Sequence, residues 1–171
     1  MGSIIWNETI KAVRRLNPNT TLETLIPDFQ GNKTNINRIV EAKPEVVSHN
    51  LETVRRLTRE VRVQARYDQS LEVLSYLKKS GVNRTKSGIM LGLGETEDEV
   101  FETLHDLRNA EVEVVTIGQY LQPSKKHLPV KSFITPETFK RYEAVANDLG
   151  FRYVESGPLV RSSYKAQKHV H

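Results

Sequence analysis

An α/β fold built around a parallel sheet is what this sequence predicts, and three observations carry that expectation. Strand-like and helix-like patterns alternate along the 171 residues. Helix punctuation falls where that alternation needs it, with Pro136 at a first-turn position and Gly81 and Gly150 as stops. The residues that look chemically useful cluster just after strands, where α/β folds build their sites.

The elements follow in order. Residues 4–16 carry Trp6, Ile10, Val13 and Leu16 at helical spacing. Residues 21–26 are β-rich and end at Pro27. Residues 35–43 form a short amphipathic helix, and 46–49 a short buried strand. "LETVRRLTREVR" (51–62) and 68–81 read as helices, the second closed by Gly81. Residues 86–91 and 113–120 are strands flanking a helix over 96–109, whose Val100, Leu104 and Leu107 share a face. A helix over 136–149 and a last strand at 151–156 complete the pattern. With no repeat or linker, one domain over 1–171 is expected, its end a tail over 151–171.

Composition narrows the function. Hydrophobic content is 37% and charged content 27%, as in globular proteins. No apolar run approaches the roughly 18 residues that span a membrane, and no signal peptide is visible, so a cytoplasmic protein without a membrane partner is expected. The absence of cysteine excludes disulfides, thiolate zinc sites, cysteine nucleophiles and any iron–sulfur cluster held by this chain's own thiolates. A net charge of +4 fits an acidic partner or a well-solvated surface.

"TKSGIMLGLGETEDEV" (85–100) sets glycines between a strand and an acidic helix start. No Gly-Lys-Ser/Thr follows, so it is not a P-loop, and the dinucleotide fingerprint lacks its third glycine near Glu97. A helix N-terminus carries about half a positive charge and attracts phosphate. Here Glu95, Glu97, Asp98 and Glu99 already fill that field, and Thr96 with Glu99 forms a capping box. A neutral or cationic ligand suits the turn better than a phosphate. Glycines let a flat ring or ribose approach the backbone, and Glu95 can accept from hydroxyls or an amine. The bland alternative is a well-capped βα turn.

Read as Gly88-x-Met90-x-Gly92-x-x-Glu95, the stretch resembles the G-x-I-x-G-x-x-E segment of radical S-adenosylmethionine (SAM) enzymes. In that superfamily the segment lines the adenosine pocket, and a sulfonium nucleoside without phosphates agrees with the charge pattern. The tail is more specific. Arg161-Ser162-Ser163-Tyr164 looks like the R-S-S-Y motif of lipoyl synthases. "LIPDFQG", "VVSHNLETV", "YDQSLEVL", "TIGQYLQPSKKHLPV" and "ITPETFKRYE" resemble the same family in the same order, over essentially the whole chain.

The resemblance implies a partial (β/α) TIM-type barrel of the radical SAM kind. It implies an enzyme that inserts two sulfur atoms at C6 and C8 of a protein-bound octanoyl chain. In the family, one [4Fe–4S] cluster cleaves SAM to a 5′-deoxyadenosyl radical, and a second, auxiliary cluster is consumed as the sulfur donor. Its partners are octanoylated lipoyl carrier domains, in 2-oxoacid dehydrogenase acyltransferase subunits and the glycine cleavage H protein. Carried over by motif, Gly88, Met90, Gly92, Gly94 and Glu95 contact the cofactor. Ser163, with Ser162 as the alternative, ligates an iron of the auxiliary cluster. Arg161 would offset cluster charge and Tyr164 pack beside it.

Other residues are weighed with it. Asn50, in "VVSHNLET" beside His49 and Glu52, bonds the SAM carboxylate or the substrate, or merely caps a helix. Arg62, ahead of Arg66, pairs with the SAM carboxylate or is solvated surface. Gln119, Tyr120 and Gln122 end a strand and point into the site's mouth. Lys125, Lys126 and His127 steer an acidic carrier or form a solvated loop. Phe101, Phe139, Tyr142, Phe151 and Tyr153 read as packing.

The family's cysteine triplets are missing, one for each cluster. Gly2-Ser3 looks like the remnant of an interior D-G-G-A/S segment with Met1 replacing an interior residue, unless "MGS" is an expression scar. The chain thus looks like the C-terminal three-fifths of a lipoyl synthase. Of about six barrel strands some four are expected to remain, leaving an open strand edge and exposed core-facing side chains. Such a chain alone is expected to be inactive. The competing readings are a non-catalytic remnant that binds SAM or the lipoyl carrier domain, and a nucleic-acid binder. The latter is disfavoured because no aromatics interleave with the basic stretch 52–66.

Overall fold

The computed structural model describes residues 2–170. Met1, assigned above to an interior position of the family, lies outside the described residues. Five parallel strands pair in sequence order: β1 (Glu23–Leu25), β2 (Val46–Ser48), β3 (Arg84–Leu91), β4 (Val114–Gln119) and β5 (Tyr153–Gly157). Each crossover carries helix: α2 (Lys33–Ala42), α3 (Thr58–Val61) with α4 (Tyr67–Lys79), α5 (Glu97–Asn109) and α6 (Pro136–Asp148), while α1 (Gly2–Leu16) precedes β1. The architecture is the expected α/β partial barrel: β5, the last strand expected at 151–156, joins the four barrel strands in the same sheet.

Local chemistry explains the boundaries. Asn32 caps α2 by accepting from the Asn35 amide, and Thr135 caps α6 by accepting from the Thr138 amide. The Thr96–Glu99 capping box opens α5 as the spacing predicts. Residues 51–62 depart from expectation. Helix is confined to α3 and a 3₁₀ turn at Arg55–Leu57, because Glu52 instead extends the sheet. Its amide donates to the Gly88 carbonyl at 2.9 Å and its carbonyl accepts from the Met90 amide at 2.8 Å. Glu52 adopts φ +68 to do so, and Asn50 consequently caps no helix.

The sheet sorts its two faces by parity. On β3, Ile89 and Leu91 face the helices and join a core with Leu74, Val100, Leu104, Leu107, Val115, Ile117 and Phe139. A second core unites Ile10, Ile26, Ile36, Ile39, Val47 and Leu77 around α1, α2 and α4. Phe139, Tyr142 and Phe151 are buried in the first core as expected, and Phe101 meets Tyr142 edge-on at 5.8 Å. Tyr153 departs from that set and meets the His169 ring at 5.6 Å.

The open edge is real. β1 pairs on one side only among the described residues. Beside it lies an apolar groove of about 370 Å³, with Ile5, Trp6, Ile10, Val13, Leu22 and Leu25 in its lining. Ile5 and Leu25 are exposed in it.

Candidate functional site

The other parity of the sheet forms an inner face. Register places Lys86 beside Ser48 and Val114, Gly88 beside Thr116, and Met90 beside Gly118. This face is polar at its lower end and glycine-lined near the C-terminal ends of the strands. A cavity of about 230 Å³ opens there. Leu25, Asn50, Glu52, Gly88, Ile89, Met90, Thr116 and Gly118 line it from the sheet, and Val160, Arg161 and Ser162 from the tail. Gly88 and Met90, 74 and 72 positions from Ser162 in sequence, thus share one hollow with it.

The glycines make room for it. A Cβ at Gly88 would lie 2.5 Å from Thr116 Oγ1 and 3.2 Å from Asn50 Oδ1. A Cβ at Gly118 would lie 2.3 Å from the Val160 carbonyl oxygen, so only glycine lets the tail settle on β4. Asn50 is 8% exposed. Its Nδ2 donates to Glu52 Oε1 at 3.1 Å, and its Oδ1 has no hydrogen-bond partner among the described residues. A buried acceptor left unsatisfied beside a cavity is a place for a ligand's donor.

Met90 also lines a second hollow of about 500 Å³, with Glu60, Val61, Tyr120, Pro123, Lys126, His127, Leu128 and Pro129. Its walls are mainly apolar, and Lys126 and His127 line it together with the acidic Glu60. Tyr120 donates from its hydroxyl to the Leu128 carbonyl at 2.9 Å, and Gln122 donates to the His127 carbonyl at 2.8 Å. The two bonds hold the 120–128 loop over the hollow.

Several predicted residues lie elsewhere. The Glu95 carboxylate accepts from the Gly92 amide at 2.5 Å and the Leu93 amide at 2.9 Å, so both oxygens organise their own turn rather than the cavity. Gly94 is exposed, its carbonyl accepting from Arg56 at 2.8 Å. Gly92 packs under Gln119. Gln119 belongs to the helix-facing parity of β4. Its Nε2 bonds the carbonyls of Leu91, Tyr120 and Ser132 at 3.1, 3.0 and 3.1 Å, and its Oε1 accepts from the Ile134 amide, stapling the loop instead of facing the mouth. Gln122 is exposed. Arg62 donates to the Asn50 carbonyl at 2.8 Å and lines a separate hollow with Pro27, Asp28 and Val63. Ser163 is exposed, whereas Ser162, half-buried, reaches the cavity from a turn closed by the Tyr164 amide on the Arg161 carbonyl at 2.8 Å.

Sequence reasoning missed Thr116, Gly118 and Val160. The signal for the first two was available: counting by twos from Tyr120 along the β4 strand assigns Gly118 and Thr116 to Tyr120's face.

The radical SAM superfamily model matches residues 4–107. The chain belongs to the radical SAM superfamily. Among curated relatives, the lipoyl synthase of Flavobacterium johnsoniae is 78% identical over 99% of this chain and 59% of its own length. The mitochondrial lipoyl synthase of Nematostella vectensis is 72% identical over 100% of this chain and 59% of its own length. The chain therefore spans about three-fifths of the curated relatives it matches. Solved structures of similar fold superpose on the chain. A domain of pyruvate-formate lyase-activating enzyme from Bacteroides vulgatus covers 91% of this chain and 92% of its own, with a TM-score of 0.69 and 10% identity. SuiB of Streptococcus suis bound to S-adenosylmethionine covers 88% of this chain and 34% of its own, with a TM-score of 0.66 and 12% identity. At such identities the likeness is one of fold alone. Among the described residues no helix is long and apolar enough to cross a membrane, and no cluster of His, Asp and Glu could hold a metal ion.

Proposed function

We propose that this radical SAM chain carries the nucleoside-binding and tail-serine part of a lipoyl synthase. The full reaction is the insertion of two sulfur atoms at C6 and C8 of an octanoyl chain borne by a lipoyl carrier domain. The single observation that supports this most is the cavity shared by Gly88, Met90, Asn50 and Ser162.

The residues present fit SAM. Met90, Val61, Tyr120, Leu128 and Pro129 offer an apolar recess for a flat base. The unsatisfied Asn50 Oδ1 offers an acceptor for a ribose hydroxyl or the ammonium of the methionyl end. Gly88 and Gly118 line the inner cavity, and Met90 lines both it and the adjoining hollow. When bound, SAM supplies a source of hydrogen-abstracting radical chemistry. The protein's part is to hold it and to exclude water. Ser162 is the tail hydroxyl that lines the cavity, opposite Thr116 of the sheet.

The residues present do not fit a complete [4Fe–4S] ligand set. Such clusters are held mainly by cysteine thiolates, and the sequence has none. We derive no step through either cluster. Lys126 and His127 at this hollow, with Lys125 beside them, suit an acidic carrier domain.

The cysteine-free sequence favours a second reading, in which this chain binds SAM or the carrier domain without turnover. Calorimetric titration of the chain with SAM, then with an octanoylated lipoyl domain, separates the readings. SAM binding that Met90→Ala weakens about tenfold, a loss of about 1.4 kcal/mol, supports the proposed pocket. No SAM binding at millimolar concentration overturns it. Anaerobic iron–sulfide reconstitution followed by iron quantitation and a 5′-deoxyadenosine assay tests turnover. Cleavage by the isolated chain would contradict the non-catalytic reading.

A further inference from the structure

The lower end of the inner face carries charge where none is needed for a core. Lys86 is 0% exposed on the central strand β3. Its Nζ meets Glu23 Oε1 at 2.8 Å and Oε2 at 2.9 Å, and Glu23 Oε1 also accepts from Ser48 Oγ at 2.6 Å. An ammonium this deep requires such a partner. The surface above the pair is closed by the C-terminal tail. His169, also 0% exposed, sets its Nδ1 3.3 Å from Lys86 Nζ, and its backbone carbonyl accepts from Arg84. The ammonium only donates, so Nδ1 is the acceptor and the ring is the neutral Nε2–H tautomer.

The tail is therefore pinned at two points. Val160 rests on Gly118, and Arg161 bonds the Val160 carbonyl at 2.7 Å. His169 rests on Lys86 and against Tyr153. Ser162 lies between the two pins. We propose that His169 is a positioning residue: docked on the Glu23–Lys86 pair, it holds the tail on the inner face and so keeps Ser162 at the cavity. The tail docks in this way whatever ligand the cavity takes.

Charge makes the clasp sensitive to protonation. The groups facing His169 are Lys86 and Arg84 on β3, Glu23 on β1, and Tyr153 and Glu155 on β5. Burial, followed by Lys86, holds the imidazole below its ordinary value of 6.5 against the opposing carboxylates. A protonated ring would lose its acceptor for Lys86 and add a cation beside two others. Docking is full above pH 6.5 and weakens as pH falls below it.

The chain has no cysteine, so Ser162→Cys supplies a unique thiol. Its protection is the labelling rate of the denatured chain divided by that of the folded chain at the same pH. Protection is expected to fall from about pH 7.5 to about pH 5.5. Adding His169→Ala should lower it about tenfold at about pH 7.5, the effect of removing about 1.4 kcal/mol of anchoring, and leave it without a further fall towards about pH 5.5. Adding His169→Asn, which keeps a neutral acceptor near the Nδ1 position, should restore protection and abolish its pH dependence. Ala146→Cys, buried on α6, reports global unfolding and should stay protected in the His169→Ala chain. If both thiols open there, the His169→Asn chain decides. Unchanged protection in His169→Ala, or pH dependence retained in His169→Asn, overturns the proposal.

Discussion

The Arg56 guanidinium clasps the Glu99 carboxylate through two hydrogen bonds, Nε to Oε1 at 2.7 Å and Nη2 to Oε2 at 2.9 Å. Nη2 also donates to the Gly94 carbonyl at 2.8 Å, so one side chain ties the glycine turn to the first turn of α5. Glu99 in turn completes the capping box by accepting from the Thr96 amide at 2.8 Å. Arg56, then the Thr96 amide, pull the carboxyl from 4.5 down to about 2. Its folded value thus lies below its unfolded one. The stability it lends is present above pH 4.5 and is lost as pH falls from 4.5 towards 2. Glu99→Gln should flatten the acid limb of the stability profile over that window, as read from urea midpoints. Thr96→Ala should cost about 1 kcal/mol at neutral pH by removing the other half of the cap. An unchanged acid limb in Glu99→Gln would remove Arg56 as the cause.

A second pH dependence sits in the outer core. His49 is buried, its Nδ1–H donating to the Ile26 carbonyl at 2.9 Å and its Nε2 accepting from Ser70 Oγ at 2.9 Å. Both ring nitrogens are used by the neutral form, and burial lowers the pKa from 6.5. The unfolded chain binds a proton there that the folded chain refuses, so stability is full above pH 6.5 and declines below it. Denaturant midpoints should fall between about pH 7.5 and about pH 5.5, while the ¹⁵N shifts of the His49 ring stay those of the neutral tautomer. A ring that protonates near 6.5 with no loss of stability would contradict this.

These two sites differ in how far sequence could see them. The Thr96–Glu99 box is a contact three residues long, readable from spacing, and the apolar periods of α5 and β3 are equally local. Where a distant strand decides local conformation, the reading failed. Glu52 leaves its helical pattern because Gly88 and Met90 offer it backbone partners. Gln119 is a different case: its place at a strand end points to the mouth, but strand parity, itself readable by counting by twos, turns it to the helices. The tail motif was legible as a motif. Its anchor was not, since Lys86 and His169 are 83 residues apart and meet only once the sheet exists.

The two glycines of the turn after β3 should respond unequally to alanine. Both have positive φ, +98 at Gly92 and +103 at Gly94, which costs an alanine about 1–3 kcal/mol. At Gly94 the new methyl meets only Lys131 Cγ at 3.6 Å. At Gly92 it would stand 2.3 Å from Gln119 Nε2 and 2.4 Å from the Ser132 carbonyl oxygen. Gly92→Ala must therefore break the Gln119 staple as well, taking the Gln119 donor from the Tyr120 and Ser132 carbonyls, while the Leu91 carbonyl keeps the Tyr120 amide. Chemical denaturation should show Gly92→Ala the more destabilising by at least about 1 kcal/mol. Equal losses would mean that backbone strain alone governs the turn.

Gly118→Ala isolates the inner cavity from the rest of the fold. Its methyl would lie 2.3 Å from the Val160 carbonyl oxygen, a backbone atom that cannot rotate away. Gly118 sits at the end of the β4–β5 ladder, opposite Gly157, so the sheet below it need not shift. The tail is the element free to yield. Displacing Val160 carries Arg161 and Ser162 with it, because Arg161 bonds both the Val160 and Gln119 carbonyls. Amide hydrogen exchange should therefore quicken across 158–164, with the Val160 and Tyr164 amides losing their bonds to Gly157 and Arg161. Amides of β3 and α5 should keep their protection. Loss spread evenly through β4 and β5 would show instead that the sheet gives way before the tail does.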